Sequence, residues 1–150
     1  MQILVDADAL PNVIKDILFR AVKRLRIPLT MVANQYVTVE KSKYIKSIVV
    51  SSGPDVADDR IVELVQQGDL VVTADIPLAD RVVAKGAYAL DPRGDLYTEE
   101  NIKDRLAMRN LMNELRNGGV IEGGPQGFSR KDRQALANQL DRFLTKHRKG

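Results

Sequence analysis

Apolar residues in this chain fall into short runs that alternate between two periods. Ile3 to Val5 is a compact apolar run with the length of a buried strand. Val13, Ile14, Ile17, Leu18, Ala21, Val22 and Leu25 then recur at helical spacing, with Pro11 placed to start that helix. Leu29 to Ala33 predicts a second strand ending at Asn34-Gln35, and Ile48 to Val50 a third ending in Ser51-Ser52-Gly53. A helix is predicted from Val56 to Gln66, stopping at Gly68, and a fourth strand from Leu70 to Thr73. Pro77 opens a short helix ending near Gly86, and Ala87 to Leu90 is a fifth strand. Short apolar strands alternating with helices predict an α/β fold built on a doubly wound parallel sheet. After Pro92-Arg93-Gly94 the strand signal ends. Thr98 is placed to cap a helix running to about Arg116, and Ser129 with Asp132 forms a capping-box pattern for a last helix. The glycines at 118, 119, 123, 124 and 127, with Pro125, predict a loop between those helices. The expectation is one domain over 1–150, with an α/β core over 1–97 and C-terminal helices with a glycine-rich loop over 98–150.

The polar residues that interrupt these runs carry the chemistry. Val5 breaks off into Asp6 and Asp8, Thr73 leads to Asp75, and Asp55, Asp58 and Asp59 open a helix. In open parallel sheets, ligands bind beyond the carboxyl ends of the strands where strand order reverses. If the first three strands lie on one side and the fourth and fifth on the other, Asp6 and Asp75 meet at that reversal. Asp8 follows Asp6 by two residues and points the same way if the backbone stays extended. On the helix, Asp58 falls roughly 60° from the centre of the apolar face and Asp59 roughly 160°. Asp58 is therefore expected at the sheet edge and Asp59 in water. Capping is the competing structural role for Asp58, Asp75 and their neighbours.

Composition narrows the chemistry. With no cysteine and one histidine, His147, neither a thiolate site nor a multi-histidine metal site can form. Two carboxylates about 4 Å apart repel by roughly 4 kcal/mol at an effective dielectric near 20, so a proton or a cation must relieve them. Oxygen ligands favour Mg²⁺ or Mn²⁺, which activate water and offset charge in phosphodiester cleavage. Residues 1–100 carry 12 Lys and Arg against 15 Asp and Glu, whereas residues 101–150 carry 11 against 5. An acidic site beside a basic surface for polyanions fits that division, as does a pair of solvated basic helices. No apolar run reaches the roughly 20 residues of a membrane span, and the N-terminus lacks signal-peptide features. A cytoplasmic location without membrane contact is expected.

Weaker candidates surround these. Asn34 and Thr73, at strand ends, can bond a phosphate, a metal-bound water or local backbone. Asp80 is a candidate outer ligand, with a solvated helix position as the competing reading, and Ser51 and Ser52 read as turn residues. Tyr36, Lys41, Lys43, Tyr44 and Lys46 interleave base-stacking and phosphate-binding groups, a recipe for single strands that an ordinary surface loop also matches. Arg93, Arg105 and Arg109 are candidate phosphate contacts. Of these, Arg93 is favoured for that role, and a supporting role for the helix pair. Lys146, Arg148 and Lys149 read as a solvated tail.

Several runs together resemble the bacterial YaiI/YqxD family. They are Val5-Asp6-Ala7-Asp8-Ala9-Leu10-Pro11, Val32-Ala33-Asn34-Gln35, Gly53 with Asp55-Val56-Ala57-Asp58, and Thr73-Ala74-Asp75-Ile76-Pro77-Leu78-Ala79. Pro92-Arg93-Gly94, Arg105-Leu106 with Met108-Arg109, and Gly123-Gly124-Pro125 complete the set. The resemblance spans essentially the whole chain and implies a PIN-like fold, with nuclease activity by analogy. It places the acidic PIN positions on Asp6, Asp58 and Asp75, and the polar residue after the second strand on Asn34. Leu10 stands where the family motif commonly has cysteine.

The resulting expectation is a Mg²⁺- or Mn²⁺-dependent nuclease acting on single-stranded nucleic acid, RNA in the first instance. Asp6, Asp58 and Asp75 would bind metal, with Asp8 assisting as ligand or base. One rival is a haloacid-dehalogenase-like phosphatase using Asp6 and Asp8, with Thr73 in support. Against it, the Asp58-Asp59 pair comes before Thr73 and on a helix, where that family expects a late strand-end pair. The other rival is a PIN-like module that binds RNA or a protein without catalysis.

Overall fold

The computed structural model describes residues 1–8, 10–37, 39, 41–119 and 128–147. In chain order the elements are β1 (Ile3–Asp6), α1 (Asn12–Leu25), β2 (Leu29–Ala33), β3 (Ile45–Val49), α2 (Val56–Leu64) and β4 (Leu70–Val72). They continue with α3 (Ile76–Ala84), β5 (Tyr88–Leu90), β6 (Leu96–Tyr97), α4 (Ile102–Asn117) and α5 (Arg130–His147). The sheet order is β3-β2-β1-β4-β5-β6. The first five strands are parallel, and β6 returns antiparallel to β5. The chain therefore winds outward from β1 in one direction and from β4 in the other, and these two strands are neighbours at the reversal.

Strand alternation assigns each side chain to a layer. Ile3, Val5, Leu70, Val72 and Leu90 face a core closed by α1 and α5 through Ile14, Leu18, Leu136, Leu140 and Phe143. Leu4, Val71 and Ala89 face the opposite core, which α2, α3 and α4 close through Ile61, Leu78, Val82 and Ile102. Basic helices α4 and α5 thus lie on opposite faces, so the cationic second part of the chain does not form one surface.

Several boundaries differ from the sequence expectation for physical reasons. β3 starts at Ile45 rather than Ile48, because as an edge strand it tolerates the polar Lys46 and Ser47 that hid its beginning. α2 ends at Leu64 rather than Gln66, since the Gln66 N–H donates to the Asp69 carboxylate at 2.9 Å. The strand signal does not end at Gly94: a tight turn returns Leu96–Tyr97 along β5. In that turn the Arg93 N–H donates to Asp91 Oδ1 at 2.7 Å and the Gly94 N–H to the Asp91 carbonyl at 2.8 Å. Gly94 has φ +100°, and a Cβ there would stand 2.8 Å from the Ala135 carbonyl carbon on α5, so only glycine fits. Thr98 does not cap α4. Its backbone carbonyl accepts the N–H groups of Asn101 and Ile102, and the helix starts four residues later. The capping box at α5 is present, with Ser129 Oγ accepting the Asp132 N–H and Asp132 Oδ2 accepting the Ser129 N–H, each at 3.1 Å. Gly123, Gly124, Pro125 and Gly127 lie outside the described residues.

Candidate active site

Two residues beyond Leu4 and Val71, the same alternation turns Asp6 and Thr73 toward the α2–α3 side of the sheet, past the ends of the helices. Thr73 is almost fully buried and bridges two segments: its hydroxyl donates to Asp6 Oδ2 at 2.9 Å and accepts the Asp75 N–H at 3.0 Å. Asp75 is the N-cap of α3, with Oδ1 accepting the Leu78 N–H at 3.1 Å and Pro77 in the first turn. Asp58 lies in the first turn of α2 and reaches the same point, its carboxyl within hydrogen-bonding reach of Asp75. Asp59 points away and pairs with Arg81 at 2.9 Å. Asp6, Asp58 and Asp75 thus come from three elements to one corner at the strand reversal.

Their proximity makes charge costly. Burial raises the Asp6 pKa above the ordinary carboxylate range; the Thr73 hydrogen bond opposes this, while the charges of Asp75 and Asp8 add to it. Asp58 is pushed up to about 6, first by burial, then by the charges of Asp75, Asp6 and Asp55 and the hydrogen bond with Asp75. Beside the acidic corner is a cleft of about 400 Å³ lined by Asp6, Ala74, Asp75, Ile76, Pro77 and Arg109. An acidic wall thus faces an arginine from α4.

The other candidates are distributed differently. Asp8 does not continue the strand direction of Asp6: the chain turns, and both its oxygens accept the Asn34 N–H, at 3.1 and 3.2 Å. It ties the ends of β1 and β2 while adding negative charge near Asp6, and Asn34 takes part through its backbone. Arg93 is not at the corner. Its guanidinium pairs with Asp132 of α5 at 2.9 Å and lies over the Phe128 ring at 4.7 Å, on the opposite face of the sheet. Arg105 leans toward β6, 3.6 Å from Asp95 and over Tyr97. The order of preference among the arginines is thereby reversed: the helix residue Arg109 lines the cleft, and the strand-exit residue Arg93 fastens a helix. Asp80 pairs with Lys103 at 2.8 Å and joins α3 to α4. The tyrosine–lysine series is split, since the Tyr44 carbonyl accepts from Leu29 at the amino end of β2 whereas exposed Tyr36 follows its carboxyl end. Ser51 and Ser52 are exposed between β3 and α2, and Arg148 and Lys149 lie outside the described residues.

Residues 4–146 match the family described as "Uncharacterized BCR, YaiI/YqxD family". The chain belongs to the YaiI/YqxD family. It is 62% identical over 146 residues to a UPF0178 protein of Shewanella amazonensis, covering 97% of this chain and 98% of the relative. A UPF0178 protein of Dechloromonas aromatica is 60% identical over 146 residues, 97% of each chain. One from Burkholderia ambifaria is 59% identical over 149 residues, 99% of each. No solved structure matches at a significant level.

One strand-end aspartate of this YaiI/YqxD chain went unweighed in the sequence. Asp91 follows Leu90 as Asp6 follows Val5, and burial raises its pKa. The charges that act on it are those of Asp95 and Arg93, and its hydrogen bonds go to the Arg93 N–H and to Tyr97. It organises the β5–β6 turn and stands electrostatically apart from the other three. The repeated strand-then-aspartate pattern was the available signal; only the turn geometry separates the cases.

Proposed function

We propose that the corner is the active site of a metal-dependent nuclease of PIN-like type that hydrolyses phosphodiester bonds in single-stranded RNA. The observation that carries this reading is the convergence of Asp6, Asp58 and Asp75 at the strand reversal, where burial and then the charge of Asp75 raise the pKa values of both Asp6 and Asp58. A folded protein that brings mutually repelling carboxylates together needs a compensating positive charge, and an all-oxygen donor set suits a hard divalent ion. Among the described residues, no group of three acidic or histidine side chains is already closed into a metal cage. Closure around one ion asks for side-chain rotation, which the half-exposed Asp58 permits. Asp6, Asp58 and Asp75 would hold Mg²⁺ or Mn²⁺, which supplies an activated water and offsets phosphoryl charge.

The chain's own residues have defined parts in this reading. Thr73 fixes the Asp6 carboxylate and the Asp75 backbone in one hydrogen-bonded unit. Asp8 holds the end of β2 and deepens the negative potential. Arg109, across the cleft, is placed to bind a phosphate oxygen. The phosphatase alternative is less well supported, because Asp8 is turned onto the Asn34 N–H rather than toward a leaving group beside Asp6.

The test is cleavage of single-stranded RNA and DNA by purified protein with Mn²⁺ or Mg²⁺, alongside Asp6→Asn. Metal-dependent cleavage that disappears in the variant is expected. Equal cleavage by the variant would sink the assignment, and salt-sensitive RNA binding without cleavage or metal uptake would assign the site to a non-catalytic binding module.

A further inference from the structure

α4 changes character along the face it turns toward the protein. Ile102, Leu106, Arg109, Asn113 and Arg116 follow one another at spacings of four and three, so they share a stripe roughly 80° wide. At the start of the helix the stripe is apolar: Ile102 is buried against the core shared with α3 and Leu106 is half-buried. Further along it becomes polar. Arg109 lines the cleft with Asp6 and Asp75, and Asn113 and Arg116 are half-buried beyond it. Met108 and Leu111, by contrast, are turned outward and are 57% and 48% exposed. Arg116 Nη2 donates to Asn113 Oδ1 at 2.7 Å, which steadies one edge of the guanidinium along the helix. Among the described residues, neither Arg109 nor Arg116 forms an ion pair with a carboxylate of the chain.

Half-buried Arg116 costs desolvation unless an anion meets it, and Arg109, exposed at the rim of the cleft, is open to one. A monovalent or compact anion would satisfy only one of the two. Arg109 and Arg116 are seven residues apart, about 10 Å along the helix axis. That distance corresponds to about three stacked nucleotides at roughly 3.4 Å each. The cationic stripe is also continuous with the acidic corner through Arg109, which suits a polyanion threading past the carboxylates.

Resting on the nuclease reading, we propose that the substrate strand lies along this face of α4. Arg109 holds the phosphate beside Asp6 and Asp75, and Arg116, with Asn113, holds one about three nucleotides away. α4 is then the substrate-binding wall of the cleft.

The experiment measures binding of fluorescent unstructured RNAs of increasing length to the Asp6→Asn protein, which leaves the strand uncut, over a range of salt concentrations. Arg116→Ala is expected to lower the log–log salt slope for long RNA by about 0.7, one phosphate contact on a single strand. Arg116→Lys, which keeps the charge, is expected to restore the slope. Arg142→Ala, on the exposed side of α5, serves as a charge-matched control and is expected to leave it unchanged. If wild-type protein cleaves RNA with Mn²⁺ while Arg116→Ala and Arg142→Ala have the same slope, the path along α4 is wrong and the nuclease reading stands. If wild-type protein neither binds nor cleaves RNA, both fall together. A slope unchanged by Arg116→Ala, with a change in sedimentation instead, would assign the face to a second copy of the chain and overturn the strand path.

Discussion

The two ends of the parallel sheet treat their carboxylates in opposite ways. At the amino end, Asp69 precedes β4, is 4% exposed, and accepts three N–H groups: Gln2 N at 3.1 Å, Gln2 Nε2 at 3.0 Å and Gln66 N at 2.9 Å. At the carboxyl end, Asp6, Asp58 and Asp75 receive fewer donors and crowd one another. Both sets are acidic residues at strand ends or helix starts, and residue type alone does not separate them. The difference is whether the surroundings satisfy the charge. Asp69 is compensated within the fold and serves the fold. The trio is compensated only in part, which is what the proposed site asks of carboxylates that would take a cation.

That contrast can be broken by substitution. Asp69→Ala leaves the backbone N–H groups of Gln2 and Gln66 without their acceptor and should destabilise the protein by about 3 kcal/mol. Urea denaturation at neutral pH measures it, and a loss under about 1 kcal/mol would mean that Asp69 is not a structural anchor. Thr73→Val removes the hydroxyl between Asp6 and Asp75 and should cost about 1–2 kcal/mol. Because that hydrogen bond lowers the Asp6 pKa, its loss should also move the rising limb of the cleavage pH profile to higher pH. An unmoved limb would deny Thr73 its part in tuning Asp6.

Asp58→Asn should have the opposite sign. The folded-state pKa of Asp58, about 6, is above its ordinary value of 3.8, so its contribution to stability is full below pH 3.8 and is lost as pH rises through about 6. The Asn variant should therefore be more stable than wild type at pH 7, by under about 1 kcal/mol once solvent screening is allowed for. Its stability should also change less between pH 4 and 6. Thermal melts across that range check both, and a destabilised variant would put Asp58 with Asp69 rather than with the site. The smallest effect on activity belongs to Arg93→Ala, which should lower the melting temperature by loosening α5 while leaving metal-dependent cleavage unchanged. A large loss of cleavage would return Arg93 to the active site.

Much of this corner was legible in the chain. Short apolar runs ended at Asp6 and Thr73, helical angles separated Asp58 from Asp59, and an assumed strand order, which the sheet has, put β1 beside β4. What escaped depends on distant partners. Nothing near Arg93 in the chain indicates that Asp132, 39 residues on, captures its guanidinium. Nor does the local pattern show that Asn34 N–H will bend Asp8 away from Asp6, 26 residues earlier in the case of Asp8 itself. β6 was invisible because its two residues are too few for a period to register. Arg109 was undervalued because its significance lies in what stands across the cleft.

The placement of α5 has a consequence for how the protein is made. Leu136, Leu140, Phe143 and Leu144 cover the same face as Ile3 and Val5 of β1. β1 and α1 are therefore synthesised well before α5, and the part of this face that α1 does not cover stays open until α5 follows. During that interval the apolar sheet face is open to chaperones and to misassociation, and the close fit of Gly94 to Ala135 is among the contacts that form only at the end. Truncation before Arg130 should leave a chain that binds hydrophobic dyes and aggregates, even though every residue of the acidic corner is present.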